Sequence, residues 1–524
     1  MPPDPNAAGR DLLIGLDSGT SVVKAVAFDR AGRQIAVAAA SNQLHHVAAG
    51  GVEQDMLASW RAAATVLADL ASRVVDLPRR SLALAVTAQG DGTWLIDRAG
   101  EPVGPAWLWL DGRAGAIVDS LTRDGTGEAV YRRTGTVLSP SLQSMQLLAM
   151  KRDQPERLAR ATTAFHCKDW LYFKLCGEIA TDPCEGVNTF GDVHRRAYDD
   201  TVLEQLGLAA ERGLLPALVD GTRQHGILGT EAARATGLLQ GTPVVLAPVD
   251  YLATAIGGGV IGNAEDIGCS VLGSAGMHLM LIADPTAATR AAPCGYTVVF
   301  PRADTWLRMI SNMSTTLNID WLVGCVAEFA EQLGAGTGER KRILALLDAG
   351  AAAARPGRAL YHPFISEAGE RGPFVDPNAR AQFSGLTTQV KLADLMRAIY
   401  EGIAFAARDC YDAMPRRPRE LRLAGGASRS ATLRRILAAT IGCRVRRSLQ
   451  EEAGAAGAVA VAAVNLGVFA DLDAACAAWI EPAFDAPEAP DPDLARDCAA
   501  LFAAYRLSYQ GARPLWSALH DIRG

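Results

Sequence analysis

Basic residues are in short supply: Lys and Arg total 51 against 57 Asp and Glu, a net charge of −6. With no basic excess to neutralise a phosphate backbone, a dedicated nucleic-acid binder is excluded. Charged residues make up only 21% of the chain and hydrophobic residues 49%, which excludes disorder throughout. Ten cysteines are scattered over 524 residues without a C-x-x-C pair. Cys167, Cys176 and Cys184 lack the paired spacing of a zinc site, so reduced thiols of a cytoplasmic protein are expected. The polar, Pro-rich start Met1–Asn6 lacks the apolar core of a secretion signal. Long hydrophobic runs are also scarce. Ala453–Ala470 is eighteen residues without a charge, but it is mostly Ala, Gly and Val with Asn465 inside. It reads as a buried helix in close contacts and not as a membrane span.

Several catalytic motifs are missing as well. No G-x-x-x-x-G-K-[ST], H-E-x-x-H or G-x-S-x-G occurs, which removes the P-loop, zincin and α/β-hydrolase readings. One G-x-G-x-x-G is present, at Gly257, Gly259 and Gly262. A dinucleotide site needs a strand before it and a helix after it. Here Tyr251–Ile256 reads as helix and a strand follows, so the context is inverted and an NAD site is rejected.

What is present is an α/β pattern on a chain long enough for two or three domains. Leu12–Leu16 and Val22–Phe28 are strand candidates around the turn Asp17-Ser18-Gly19-Thr20-Ser21. Ala58–Val75 has helical spacing, Ser81–Thr87 returns to strand, and Ala88–Gly92 breaks it. The organisation restarts at Asp266–Leu272, Gly273-Ser274-Ala275-Gly276 and Met277–Ile282. Two such hairpins suggest two related domains, with a hinge near residues 249–257. Leu392–Cys410 reads as a helix. So does the run through Leu433, Ile436, Leu437, Thr440 and Ile441, with Ser428 or Ser430 as N-cap and Gly442 as terminator.

Three small-residue turns carry the chemistry. The first can form a backbone N–H cradle for phosphate, and Asp17 at its mouth can hold hydrated Mg²⁺. Its plain alternative is an ordinary hairpin turn. Gly273-Ser274-Ala275-Gly276 is a second such turn. Gly425-Gly426-Ala427 is a third, and its flat backbone suits a purine. Together they suggest a nucleotide with phosphate cradles on two domains.

In this order the segments resemble the FGGY family of carbohydrate kinases, within the actin and hexokinase-like ATPase superfamily, over almost the whole chain. Ile14–Ser21 with Lys24 is similar to the family's first phosphate motif, and Trp107–Arg113 to its L-W-x-D-x-R element. Lys168-Asp169-Trp170-Leu171 and Gly177–Asp182 resemble its K-D-[YW]-L and T-D stretch. Arg397–Arg408 resembles its second signature, Gly425–Ser428 its adenosine motif, and Glu452–Gly457 the E-x-x-A-x-G-A segment.

The resemblance implies an α/β fold of two actin-like (ribonuclease H-like) domains with an interdomain catalytic cleft. A disordered lead is expected at 1–10, with the domains at 11–253 and 254–524. The implied activity is ATP-dependent phosphorylation of a primary hydroxyl on a small sugar or sugar alcohol, with ATP and Mg²⁺. By the same resemblance Asp250, after Val244–Val249, is the general base, a helix N-cap being its plain alternative. Substrate contacts fall to Gln89, Asp91, Trp109, Asp111 and Arg113. For Trp109 a core position, and for Arg113 a pair with a nearby carboxylate, are equally available readings. ATP contacts fall to Ser18, Gly19, Thr20, Ser21, Lys24, Gly273, Ser274, Gly425, Gly426 and Ala427, and the metal to Asp17.

Two departures stand out. The family's G-T-[ST] turn is Gly273-Ser274-Ala275 here, and the Gln-Met-His-Gly loop of xylulose kinases is Gln89-Gly90-Asp91-Gly92. An ionised Asp91 is an obligate acceptor for hydroxyls. Thr87–Leu95 and Trp107–Asp111 are most similar to the erythritol kinase branch, which implies erythritol or another C4–C5 polyol. A ketopentose of the xylulose or ribulose type is the alternative. An actin-superfamily ATPase acting as chaperone or activator, and a degenerate sugar sensor, are alternatives of other classes. The resemblance calls for no nucleic-acid or membrane partner and leaves a homodimer open.

Overall fold

The computed structural model describes residues 9–261, 266–334 and 339–523. Most of the expected lead, and Gly262 of the glycine motif, lie outside the described residues. The chain divides into two compact units. The first comprises residues 1–262, 282–307 and 450–483; the second comprises 263–281, 308–449 and 484–524. The units are thus interleaved in sequence, where the reading above divides the chain once.

The first unit is built on a sheet of β1 (Leu12–Ser18), β2 (Val22–Asp29), β3 (Gln34–Ser41), β4 (Ser81–Ala88), β5 (Gly226–Ile227) and β6 (Pro243–Leu246). Their order is β5–β6–β4–β1–β2–β3. The β1–β2 hairpin is antiparallel, whereas β4 lies parallel to both β1 and β6. Alternation along β1 sends Ile14 and Leu16 into a core with Val66, Leu67 and Leu70. These three residues come from the helix Met56–Arg73, which Asp55 caps by accepting the Ala58 N–H. Gly15 faces the other way, onto the helix Ala453–Asn465, where a Cβ on Gly15 would lie 2.8 Å from the Ala455 carbonyl oxygen. That helix is the uncharged run of the sequence, buried from Ala453 to Ala463. Among the described residues no helix is long and apolar enough to cross a membrane.

In the second unit, strands β7 (Ile267–Leu272), β8 (Gly276–Ile282), β9 (Trp306–Asn312), β10 (Glu420–Ala424) and β11 (Arg444–Arg447) run in the order β9–β8–β7–β10–β11. Again a hairpin, β7–β8, is flanked by a parallel strand, β10. The buried helix Leu392–Asp412 packs beside the helix Ala431–Ile441. Ser430 caps the latter by accepting the Leu433 N–H, and Gly442 ends it in the left-handed conformation.

The hinge expected near 249–257 is corrected. Asp250–Gly257 is a helix packed against Ala453–Asn465 inside the first unit. Glycines allow backbone contact there: a Cβ on Gly257 would meet the Ala453 carbonyl oxygen at 2.0 Å. None of the ten cysteines is joined in a disulfide.

Candidate active site

Seven residues of β1 end in the turn that carries the first motif. The turn is braced from β3's end by Asn42, whose Nδ2 donates to the Gly19 carbonyl at 2.6 Å and whose N–H donates to Ser21 O at 2.9 Å. Ser18 is fully buried beneath the turn, so its side chain supports the cradle from inside. Thr20 Oγ1 accepts from Trp109 Nε1 at 2.8 Å. Lys24 pairs with Glu452 at 2.8 Å. That pairing joins the first phosphate motif to the E-x-x-A-x-G-A segment, an association no local pattern announces.

Asp17 stands at the end of β1 against Gly454, whose missing Cβ would fall 2.4 Å from Asp17 Oδ2. Burial, and next the Glu452 carboxylate, push Asp17 up to about 6, with Lys24 opposing. Asp17 thus lies in the field of the Lys24–Glu452 pair, with the second carboxylate raising and the ammonium lowering its proton affinity.

Asp250 is the first residue of its helix, following Val249 at the N-cap, and not the cap itself. Its Oδ1 accepts the Tyr251 N–H at 2.6 Å. Burial raises its pKa well above the ordinary carboxylate range. Asp17 adds to the rise, the Tyr251 N–H opposes it, and Glu185 and Asp91 contribute further. A carboxylate so placed is a stronger base than a solvated aspartate.

Beyond β4, the loop Gln89–Gly92 turns back toward this site. Gln89 is buried; its N–H donates to Ser18 O at 2.9 Å and its Nε2 to Gln54 Oε1 at 3.0 Å. Asp91 and Gly92 both have positive φ, 53° and 78°, which for an aspartate is permitted but unfavourable. Asp91 Oδ2 accepts from Ser141 Oγ and from Tyr296 OH, each at 3.1 Å. Its N–H donates to Glu185 Oε1 at 3.0 Å. A Cβ on Gly90 would lie 2.6 Å from Val249, the neighbour of Asp250. The loop and the proposed base therefore share one packed corner.

Trp109 is 38% exposed, so the core reading for it is set aside. Asp111 is buried and accepts the Val52 N–H at 2.8 Å. Arg113 pairs with Asp111 at 2.5 Å and Glu53 at 2.9 Å and lies over the Trp107 ring. Both residues are thus engaged within the protein, as the plain alternative for Arg113 holds.

Behind the loop, sequence reasoning missed a buried ionic cluster. Lys168 Nζ contacts Asp169 at 2.7 Å, Asp182 at 2.9 Å and Glu185 at 2.8 Å. His166, Asp169 and Glu185 bring their ligand atoms within 4.8 Å of one another, but two of the three already pair with the Lys168 ammonium. The K-D and T-D pairs were visible in the motif; Glu185 and Tyr296 had no local signal.

In the second unit, Gly273 and Ser274 form an exposed turn whose carbonyls accept from Thr316 and Thr315 at 3.0 and 2.7 Å. Glu370 Oε1 accepts the N–H of Met313, next to that segment, at 2.9 Å. Gly425 adopts a positive φ of 85°; its Cβ would meet the Leu272 carbonyl oxygen at 2.6 Å, whereas Gly426 faces open space. Ser428 Oγ closes the turn onto Gly425 O at 2.7 Å.

Two units that each carry their own hairpin-and-parallel-strand sheet, with a small-residue turn at the hairpin, define an actin-like α/β fold. The chain belongs to the FGGY family of carbohydrate kinases: the family's N-terminal domain matches residues 12–257 and its C-terminal domain residues 268–466. It is 44% identical to the erythritol kinase of Brucella abortus (strain 2308), over 97% of this chain and 98% of that protein. It is 27% identical to a probable L-xylulose kinase of Pasteurella multocida (strain Pm70), over 97% and 98% of the two chains. The fold is shared with a ligand-bound xylulose kinase from Lactobacillus acidophilus, at a TM-score of 0.85 and 21% identity, covering 97% of this chain and 99% of that one. The protein is accordingly a phosphotransferase acting on a small carbohydrate or polyol with ATP as donor.

Proposed function

We propose that this enzyme phosphorylates a primary hydroxyl of erythritol or a closely similar C4–C5 polyol in the cytoplasm. The observation that carries the reading is the corner formed by Asp250, Asp17 and the Gln89–Gly92 loop. There a carboxylate of raised basicity stands beside an obligate acceptor for hydroxyls. Likeness to the Brucella erythritol kinase supports the substrate class.

In this reading Asp91, Gln89 and Trp109 contact the polyol. Arg113, itself paired with Asp111, braces Glu53, beside the Gln54 that bonds Gln89. Asp250 accepts the proton of the attacking hydroxyl. Gly19, Thr20, Ser21 and Lys24 act on the phosphates, with Ser18 beneath them; Gly273 and Ser274 also act on phosphate. Ala275 removes one hydroxyl, but the backbone of its turn remains. Gly425, Gly426 and Ala427 offer the adenine a flat surface. Asp17, whose carboxylate is accommodated because Gly454 carries no Cβ, fits a hydrated Mg²⁺, which when bound with the nucleotide would neutralise phosphate charge. Because phosphoryl transfer has a loose transition state, positioning and charge stabilisation outweigh base strength.

Asp250→Asn is expected to lower kcat by about 10²–10⁴-fold, the usual worth of general-base help, while ATP binding persists. Coupled ADP release measured across erythritol, threitol, ribitol, xylitol, glycerol, xylulose and ribulose identifies the substrate. A preference for a ketopentose would favour the xylulose-type reading. ADP release independent of any added polyol would favour the chaperone-like ATPase.

A further inference from the structure

Asp169 and Asp182 already over-neutralise Lys168, so the fold has no electrostatic need for Glu185. Lys168 is fully buried and lies 2.7 and 2.9 Å from those two carboxylates. Glu185, only 2% exposed, adds a third negative charge to the same cluster. His166, the other basic group, lies 3.3 Å from Asp169 and 3.9 Å from Glu185. Even with His166 protonated the cluster holds three carboxylates against two cations. A surplus buried charge is a cost to stability, and burial raises Glu185 to about 6, with His166 and Lys168 opposing.

What Glu185 does with its other oxygen gives the reason to keep it. Oε1 accepts the N–H of Asp91, the residue of the loop held at a φ of 53°. That bond comes from the helix Pro183–Phe190, while the side chain of Asp91 is held by Ser141 and Tyr296 from elsewhere in the chain. Other backbone bonds of this stretch run from Gln89 N–H to Ser18 O, from Gly92 N–H to Ser141 O and from Thr93 N–H to Trp107 O. Glu185 is thus a partner of the Asp91 backbone, and Lys168 in turn pairs with Glu185 at 2.8 Å.

We propose that Glu185 is a positioning residue for polyol recognition: anchored by Lys168, it holds the Asp91 backbone so that the Asp91 carboxylate is presented to the substrate. This rests on the reading of Asp91 as a substrate contact. It assigns Glu185 no contact with the substrate.

Three variants test it on the full-length enzyme, with KM for polyol, KM for ATP and melting temperature measured for each. Glu185→Met, which has no acceptor, raises the polyol KM at least tenfold and leaves the ATP KM within about twofold. Glu185→Gln retains an acceptor and restores the polyol KM to within a few-fold of wild type. Both melt within a few degrees of wild type, because the cluster loses a charge it did not need. Asp91→Ala raises the polyol KM at least as far as Glu185→Met. The proposal is overturned if Glu185→Met keeps a wild-type polyol KM while Asp91→Ala does not. It is also overturned if polyol and ATP KM rise together, or if Glu185→Gln is as impaired as Glu185→Met. An unchanged polyol KM in Asp91→Ala would overturn the substrate reading instead.

Discussion

Glu370 shows how one buried carboxyl can set a pH dependence of stability. Its Oε1 accepts backbone N–H groups from Met313 at 2.9 Å and Arg371 at 2.8 Å. Burial nevertheless pushes its pKa up to about 7, those backbone bonds opposing. In an unfolded chain a glutamate titrates near 4.3. Between those values the folded state binds a proton that the unfolded state does not, so stability falls as pH rises toward 7 and stays lower above it. The integrated difference is roughly 4 kcal/mol. Glu370→Gln keeps the accepting oxygen and removes the titration. It is expected to flatten the fall in melting temperature between pH 5 and 7.5 by about one proton's worth of slope. A scanning-fluorimetry series in which the slope is unchanged would refute the assignment. Legibility at this scale follows chain distance. Asp17, Asp91 and Asp250 stand in local patterns and could be picked out. Glu370, Glu185, Asn42 and Tyr296 matter through partners tens to hundreds of residues away, which no spacing records.

Between elements, the contact of Asp250–Gly257 with Ala453–Asn465 separates stability from function at neighbouring glycines. The uncharged composition of 453–470 was enough to expect a buried helix, but not to name what it packs on. The apolar helix after Asp250 was legible too, yet the repeat of the two hairpins led to a hinge being expected where small residues allow two backbones to touch. A Cβ on Gly457 would lie 1.9 Å from the Ala253 carbonyl oxygen, against a fixed helix. Gly457→Ala is therefore expected to cost about 3 kcal/mol or more, at the upper end of overpacking effects. A Cβ on Gly454 would instead strike the Asp17 carboxylate, the movable end of a side chain. Gly454→Ala is expected to leave the melting temperature nearly unchanged and to lower kcat at least tenfold. Thermal melts and steady-state rates of the two variants, measured side by side, check both halves. Equal loss of stability in the two would contradict the distinction.

On the scale of the whole chain, two hairpin-centred sheets could be anticipated from the repeat of strand, small-residue turn and strand. Their boundaries could not, because the chain leaves the first unit and returns to it twice. Residues 282–307 supply the carbonyls of Ala288 and Cys294 to the buried Tyr131 hydroxyl, and Trp306 Nε1 to the Val193 carbonyl. Residues 450–483 supply the helix that lies on β1, β4 and Asp250–Gly257. A fragment ending at residue 262 contains all of the N-terminal family match, 12–257, yet lacks both of these segments. It would expose the Gly15 face of the sheet and the apolar face of the Asp250 helix. Such a surface drives loss of fixed packing before loss of secondary structure. The expressed fragment 1–262 is therefore expected to show far-ultraviolet circular dichroism without a cooperative melt, and to bind ANS. Appending residues 450–483 through a flexible linker should lower ANS binding and restore a measurable transition. A fragment 1–262 that melts cooperatively without ANS binding would mean that the returning helix covers a core that is already closed.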